Sequence, residues 1–233
     1  MNCSVAAFDG GRCVVSKRVR EESRHLHAEQ LLPLIDAVVQ EANWAKTDLD
    51  AVAVSSGPGS YTGLRIGVST AKGICHALGI PLLALDTLEL LGQSAKEAIA
   101  ESGGSAVVWP VLDARRMEVY VRPFIVQDDQ WVAESPALPV DLEQQEIPGT
   151  GTASAALICV GDAVDKVARV YRHENVRFIL AEPDASLAGD LIARAEEVDL
   201  AYFEPRYLKA FQAGAPKDPL GLRAAALDPP PHA

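Results

Sequence analysis

Apolar and polar residues alternate in two short runs at the start of the chain. The first run spans Ser4 to Phe8 and the second spans Cys13 to Ser16. Alternation with a period of two is typical of a β-strand with one buried face. The residues between the runs, Asp9-Gly10-Gly11, suit the positive φ angles of a tight turn. The pattern therefore predicts a β-hairpin.

The next segments show the longer period of amphipathic helices. Between Ala28 and Asn43 the apolar residues recur on one helical face, and they are Leu31, Leu32, Ile35, Val38 and Val39. Pro33 must lie in the first turns of this helix or kink it. Further helices are predicted over residues 62–78 and 87–100, and a buried parallel strand over residues 50–55. This order of strand, turn and helix predicts an α/β lobe.

A second lobe is predicted after the polar stretch at residues 101–104, which is the best candidate for a hinge. Strands are expected over residues 106–111, 117–121 and 157–160, and a helix over residues 185–198. We therefore assign residues 1–102 to an N-terminal lobe and residues 103–211 to a C-terminal lobe. Residues 212–233 are rich in proline and alanine and poor in large apolar groups, so a disordered tail is expected there.

Composition narrows the class of protein. Of the 233 residues, 48% are hydrophobic and 23% are charged, which is typical of a folded globular protein. The net charge of -11 has the wrong sign for a protein that holds nucleic acid through its own phosphate contacts. We expect a cytoplasmic protein, since neither a membrane span nor a signal peptide is evident. The four cysteines include no CxxC pair, so buried thiols are expected instead of a zinc ribbon or a disulfide framework.

The most informative stretch is the glycine-rich turn after the predicted strand, SSGPGSYTGLRIG at residues 55–67. Unpaired N–H groups and the positive end of a helix dipole favour an anion at such a place. The residues that would face a phosphate or nucleotide are Gly57, Gly59, Ser60, Thr62 and Gly63. The spacing matches neither a P-loop nor a Rossmann fingerprint. A tight turn in which Ser60 or Thr62 merely caps the helix is the alternative.

The helix after this turn carries several small residues near one face, including Gly63, Gly67 and Ala71. Glycine inside a helix costs about 1 kcal/mol relative to alanine, so a compensating benefit is expected. Close packing against a helix of a partner is one benefit, and packing within the lobe is the other. The sequence leaves both open.

Several separated motifs together resemble the TsaB family, also called YeaZ, of tRNA threonylcarbamoyladenosine biosynthesis proteins. They are the run SSGPGSYTGLRIGVSTAKGI, the upstream Leu-Leu-Pro-Leu-Ile, Asp-Ala-Arg-Arg-Met-Glu-Val-Tyr at 113–120 and Pro-Arg-Tyr-Leu at 205–208. The resemblance implies an actin-like ATPase fold of two lobes, each a mixed sheet flanked by helices. It also implies a non-catalytic partner of the enzyme TsaD, which acts together with the ATPase TsaE.

The resemblance also implies how the protein assembles. The expected partner interface lies on the two N-lobe helices and comprises Leu31, Ile35, Val38, Val39, Gly63, Gly67, Val68 and Ala71. The same surface would join two copies of the chain when TsaD is absent. We expect no tightly bound cofactor, with ATP or ADP at the interface with TsaD, and only indirect contact with tRNA.

One departure from the family pattern concerns the first strand. Members of the family usually begin with a further apolar strand before the equivalent of Cys3-Ser4-Val5, whereas here Met1-Asn2 comes first. Either the start codon is assigned too late or this version lacks a strand, and we favour the first. In both cases the strand at residues 2–8 should lie at a sheet edge or beside a gap.

Residues that could support catalysis or bind a metal are sparse. His25 and His27 are two residues apart and do not share a helix face as metal ligands at i and i+4 do, so surface or capping roles are favoured. Asp113, beside an arginine pair, could act as a general acid or base, or could belong to an exposed hairpin turn. Gly161-Asp162 resembles the second-lobe turn of ATP-binding relatives, but a Gly-Asp dipeptide is also common in ordinary turns. We therefore predict no catalytic residue and no metal site, and favour a scaffold over a stand-alone actin-like ATPase or sugar-kinase-type phosphotransferase.

Overall fold

The computed structural model describes residues 2–20, 26–148, 156–171 and 176–209. The chain opens with the predicted hairpin, in which β1 (Asn2–Asp9) pairs antiparallel with β2 (Arg12–Arg20). Within the described part of the chain, β1 pairs with no other strand. The expectation that this strand lies at a sheet edge is therefore confirmed.

The helices follow the predicted apolar periodicity in the first half of the chain. The described helices are α1 (Leu26–Glu41), α2 (Tyr61–Leu78), α3 (Thr87–Gly92), α4 (Lys96–Glu101), α5 (Val164–Val170) and α6 (Gly189–Ile192). The helix predicted over residues 87–100 is divided between α3 and α4 by a short 3-10 turn. Pro33 lies inside α1 and is exposed. No described helix has both the length and the apolar character that a membrane span requires.

The remaining strands form two sheets. They are β3 (Val52–Ser55), β4 (Leu82–Leu85), β5 (Ser105–Asp113), β6 (Glu118–Val121), β7 (Phe124–Gln127), β8 (Gln130–Ala133), β9 (Leu138–Asp141), β10 (Ala156–Gly161), β11 (Val176–Leu180) and β12 (Glu197–Val198). The smaller sheet has the order β12-β4-β3, with β3 and β4 parallel. The larger sheet has the order β11-β10-β5-β6-β9, and β7 and β8 extend it beside β5.

Strand β5 is the centre of the larger sheet. Its seven interior residues are all buried, as expected for a strand covered on both faces. Pro110 is compatible with this central position because residues 105–108 pair with β7 and residues 111–113 pair with β6. The proline lies at the changeover between these two partners, where the missing N–H group removes no bond on that side.

Two apolar clusters cover the faces of this sheet. One cluster contains Trp109, Val119, Val121, Cys159 and Val167, and the other contains Ile99, Val108, Phe124 and Val160. Trp109 packs edge-to-face on Tyr171, with the ring centroids 5.4 Å apart. Helix α5 therefore covers one face of β5, and α4 covers the other.

The prediction of a helix over residues 185–198 is wrong. The chain instead forms a 3-10 turn at residues 185–187, the single turn α6 and the short strand β12. The apolar residues whose spacing predicted the helix share one cluster with Phe8, and they are Leu187, Leu191, Ile192 and Ala195. Their spacing reflects burial against a common core, which short turns satisfy as well as a continuous helix would.

The end of the described chain returns to its first half, because β12 pairs antiparallel with β4. The division into lobes at residues 102 and 103 stays a prediction. The tail predicted over residues 212–233 lies outside the described residues.

The cysteines are free thiols at four separate places. Cys75 and Cys159 are buried, as expected, whereas Cys3 and Cys13 are half-buried. Burial raises the pKa of the Cys159 thiol to about 12, so it stays protonated and unreactive at neutral pH.

Replacing each of two glycines by alanine should change the free energy of unfolding in opposite directions. Gly161 has a φ of 149°, and a Cβ atom there would lie 1.9 Å from the carbonyl oxygen of Val111, so Gly161→Ala should lower the free energy of unfolding by more than about 2 kcal/mol. Gly73 lies in α2, and a Cβ atom there would have no atom beyond its own helix within 4 Å, so Gly73→Ala should raise it by up to about 1 kcal/mol. Urea denaturation of the two variants measures both effects. A Gly161→Ala variant as stable as wild type would contradict the first argument, and a Gly73→Ala variant less stable than wild type would contradict the second.

Candidate functional site

The glycine turn, residues 55–60, connects the carboxyl end of β3 to α2. Ser60 is the N-cap of α2, and its hydroxyl accepts a hydrogen bond from the Gly63 N–H at 3.3 Å. At the other end of the helix, Gly79 takes a left-handed conformation with a φ of 68°. The helix is therefore bounded by a serine cap and a glycine stop, which are common signals for those positions.

The backbone of the glycine turn is bonded within the chain. The Ser56 N–H donates to the Leu85 carbonyl at 2.8 Å, and the Gly57 N–H donates to the Thr87 hydroxyl at 3.1 Å. The Thr87 N–H donates in turn to the Gly57 carbonyl at 3.1 Å. The turn is thus hydrogen-bonded to the end of β4 and the start of α3, as the tight-turn alternative predicts.

The return segment, residues 199–209, covers the turn from the other side. The Arg206 N–H donates to the Ser56 carbonyl at 2.7 Å, and its side-chain Nη2 donates to the Gly57 carbonyl at 3.2 Å. A Cβ atom on residue 57 would lie 2.5 Å from the Arg206 carbonyl oxygen, and Gly57 has a φ of 113°. Glycine is required at this position because the protein's own chain approaches it closely.

Aromatic and cationic side chains fix the return segment to α2. The rings of Tyr61 and Tyr207 lie 4.6 Å apart, and the Arg65 guanidinium lies 4.4 Å from the Tyr61 ring centroid. Arg65 Nε also donates to the Tyr207 hydroxyl at 3.3 Å. Two helical turns further on, Lys72 Nζ donates to the carbonyls of residues 201 and 203. One side of α2 is therefore occupied by the return segment.

The other residues predicted to face a phosphate surround the start of α2. Ser60, Thr62 and Gly63 are exposed, and Gly59 is half-buried with the Leu64 side chain beneath it. The Gly63 N–H is already used by the Ser60 cap. A phosphate-facing role for these residues stays a prediction.

Asp86 is the group on which this region converges, and its side chain is only 9% exposed. Its Oδ1 accepts hydrogen bonds from the N–H groups of Leu88 at 2.8 Å and Glu89 at 3.1 Å, which caps α3. Its Oδ2 accepts Arg122 Nη1 at 2.8 Å and also pairs with Arg206 Nη2. Asp86 was not among the residues predicted from the sequence, although an aspartate before the apolar run that begins at Leu88 is a helix-start signal.

The charged cluster around Asp113 lies at the carboxyl ends of the parallel strands β5 and β10. The Asp113 N–H donates to Asp162 Oδ1 at 2.8 Å, and the Asp113 carboxylate pairs with Lys166 Nζ at 2.8 Å. Asp113 Oδ1 also accepts the Arg115 N–H, and Arg115 has a positive φ of 72°. Asp113 is thus engaged in the local turn through Arg115, as the hairpin-turn alternative predicts, whereas Asp162 and Lys166 contact it from the loop after β10 and from α5.

The predicted partner face requires a correction at four positions. Val38, Val39, Val68 and Ala71 are 1–7% exposed and pack inside the chain, so a partner cannot contact them. Their apolar spacing identified the faces of α1 and α2 that meet the strands beneath.

The other four members of the predicted partner face are placed differently. Leu31 and Ile35 are half-buried, and Gly63 is exposed. A Cβ atom on Gly67 would contact Val54 of β3 at 3.8 Å, so this glycine faces the sheet, as the lobe-packing alternative predicts.

The exposed face of α2 carries several small side chains, with the larger Arg65 and His76 beside them. Its exposed positions include Thr62, Ser69, Gly73 and Ala77, whose spacing of one or two helical turns places them on one side of the helix. On α1, Leu32 is 55% exposed. This face could not be chosen from the sequence, because small residues occur on several sides of α2.

Metal ligands are the last feature that the sequence raised. Within the described ranges, no group of three or more His, Cys, Asp or Glu side chains could hold a metal ion. His76 is exposed on α2, and His25 and His173 lie outside the described residues.

Comparison with known proteins shows the relatives of this chain. Residues 19–139 match the family model described as TsaD, tRNA N6-adenosine threonylcarbamoyltransferase. An uncharacterised protein of Mycobacterium leprae is 38% identical over 121 residues, which are 52% of this chain and 31% of that protein. The chain spans less than half the length of the mycobacterial proteins that it matches.

Two other relatives match along nearly their whole length. The tRNA threonylcarbamoyladenosine biosynthesis protein TsaB of Escherichia coli is 27% identical over 216 residues, covering 89% of this chain and 90% of that protein. The structure of YeaZ from Pseudomonas aeruginosa is 31% identical, with a TM-score of 0.72, covering 89% of this chain and 94% of that one. The chain thus has the actin-like ATPase fold of these proteins and belongs to the TsaB (YeaZ) family.

Proposed function

We propose that this protein is a non-catalytic subunit that supports a TsaD-type enzyme in tRNA threonylcarbamoyladenosine synthesis. The reaction adds a threonylcarbamoyl group to N6 of adenosine 37 in tRNAs that read ANN codons. The observation that carries the proposal is the match to YeaZ over 94% of that chain, at 31% identity. The E. coli relative that also matches over most of its length is named for the same biosynthesis.

The geometry of the glycine turn favours a scaffold over an ATPase. Phosphate-binding turns hold their ligand with free backbone N–H groups. Here the N–H groups of Ser56 and Gly57 are used by Leu85 and Thr87, and the carbonyls of the same two residues face Arg206. These groups are therefore committed to folding.

The proposed assembly follows from the surface that remains. TsaD would dock on the exposed faces of α1 and α2, TsaE would join that complex, and two copies of this chain would pair through the same surface when TsaD is absent. ATP or ADP would bind at the interface with TsaD. The net charge of -11 supports indirect contact with tRNA, since anionic surfaces repel its phosphates. This function also requires a cytoplasmic protein.

The competing function is a stand-alone actin-like ATPase or sugar-kinase-type phosphotransferase. Our expectation is that the purified protein neither forms threonylcarbamoyladenosine nor hydrolyses ATP above background, with or without Mg²⁺. Steady-state phosphate release measures the ATP reaction. A rate of about 1–10³ s⁻¹ that is abolished by Asp113→Asn or Asp162→Asn would establish this competing function instead.

Docking on α2 can be tested at Gly73. A leucine there has free space in the isolated chain but would hold a partner helix away, so Gly73→Leu should weaken TsaD binding by about tenfold to a hundredfold. The stability of the isolated protein should not fall, because a helical glycine is replaced. Titration calorimetry against TsaD and thermal denaturation measure the two quantities.

The control is Ala100→Leu, which changes another small exposed residue on a different helix, α4. This variant should bind TsaD with wild-type affinity. Undiminished binding by Gly73→Leu would remove the exposed face of α2 from the interface.

A further inference from the structure

Asp86 carries one negative charge but bonds to two positively charged arginine side chains. The guanidinium groups of Arg122 and Arg206 both bond to the same carboxylate oxygen, Oδ2. The other oxygen is occupied by two backbone N–H groups at the start of α3. One carboxylate thus faces two cations, whereas Arg194 pairs with Glu89 and Arg177 pairs with Glu101 one to one.

The same cluster has a buried hydrogen-bond donor without an acceptor. Arg122 Nε is buried and has no hydrogen-bond partner in the described structure, although Nη1 of the same group reaches Asp86. A guanidinium carries five N–H donors in a planar fork, and buried donors are nearly always paired. The Phe124 ring lies 5.3 Å from the Arg122 guanidinium carbon, so an aromatic face occupies one side of it.

The cluster is also open to solvent on one side. The Arg206 side chain is 45% exposed and the Arg122 side chain is 25% exposed, whereas Asp86 beneath them is 9% exposed. Solvent therefore reaches the two guanidinium groups more readily than it reaches the carboxylate beneath them.

We propose that Arg122 and Arg206 form an oxyanion site whose ligand is a phosphate group. Two neighbouring guanidinium groups that are each partly exposed suit the oxygens of a phosphate, which would accept hydrogen bonds from N–H donors that Asp86 does not use. The ligand is either free pyrophosphate or the polyphosphate of a nucleotide. This site uses arginine side chains on the carbonyl side of the glycine turn and is independent of the backbone phosphate site predicted from the sequence.

Binding is tested on the full chain with two probes, pyrophosphate and ADP, by titration calorimetry. Saturable binding of pyrophosphate is expected, and Arg122→Met and Arg206→Met should each weaken it by about tenfold or more. Arg194→Met is the matched control, because Arg194 pairs one to one with Glu89, and it should bind like wild type. ADP that binds more tightly than pyrophosphate, with the same arginine dependence, assigns the site to a nucleotide, and equal affinity assigns it to the free anion.

A second variant separates this site from a purely structural ion pair. Asp86→Asn keeps the oxygen that caps α3 but removes the negative charge beside both arginines, so pyrophosphate binding should tighten severalfold. A structural ion pair gives no reason for such a gain. Because this variant retains both arginines, it decides the question even if Arg206→Met does not fold, as judged by circular dichroism.

The proposal is overturned by any of three results. They are the absence of saturable pyrophosphate binding to the wild-type chain, binding that Arg122→Met leaves unchanged, and binding that Asp86→Asn weakens. None of these results would bear on the family assignment or on docking to TsaD.

Discussion

The Asp86 carboxylate is the interaction on which the arrangement of this region depends. A buried carboxylate is costly unless it is paired and hydrogen-bonded, so the groups that satisfy it must be brought together. Those groups come from the start of α3, from Arg122 beyond β6 and from Arg206 in the return segment. The carboxylate thereby joins the smaller sheet, the larger sheet and the end of the described chain at one point.

This junction explains the composition of the glycine turn. Arg206 reaches Asp86 while its backbone passes close to residue 57, and the short distance between the Arg206 carbonyl and a Cβ position there excludes a side chain. A glycine-rich turn between a strand and a helix is also what a phosphate site requires, so the same sequence fits two causes. The contacts of Gly57 show that close approach of the chain itself is sufficient to account for it.

Elements with a strong local signal were predictable from the sequence. The bounds of α2 agree with the prediction to within one residue because Ser60 and Gly79 fix its two ends. The cluster at Asp86 was not predictable, since its arginines lie 36 and 120 residues away along the chain. The buried and exposed faces of α2 could not be told apart either, because glycines and alanines carry little hydrophobic signal and burial depends on the strands and segments around the helix.

Packing within the chain leaves one face of helix α2 exposed and holds the helix in place. Its apolar stripe lies on β3 and β4, and the return segment holds one flank through Tyr207 and through the carbonyls bonded to Lys72. Most of the residues left over are small, although His76 is among them, so little side-chain freedom is lost when another surface covers this face. A helix that is already held on two sides also loses little freedom of its own on binding, and more of the contact energy then contributes to affinity. The exposed face of α2 therefore combines rigidity with small side chains, the two properties that close helix packing requires.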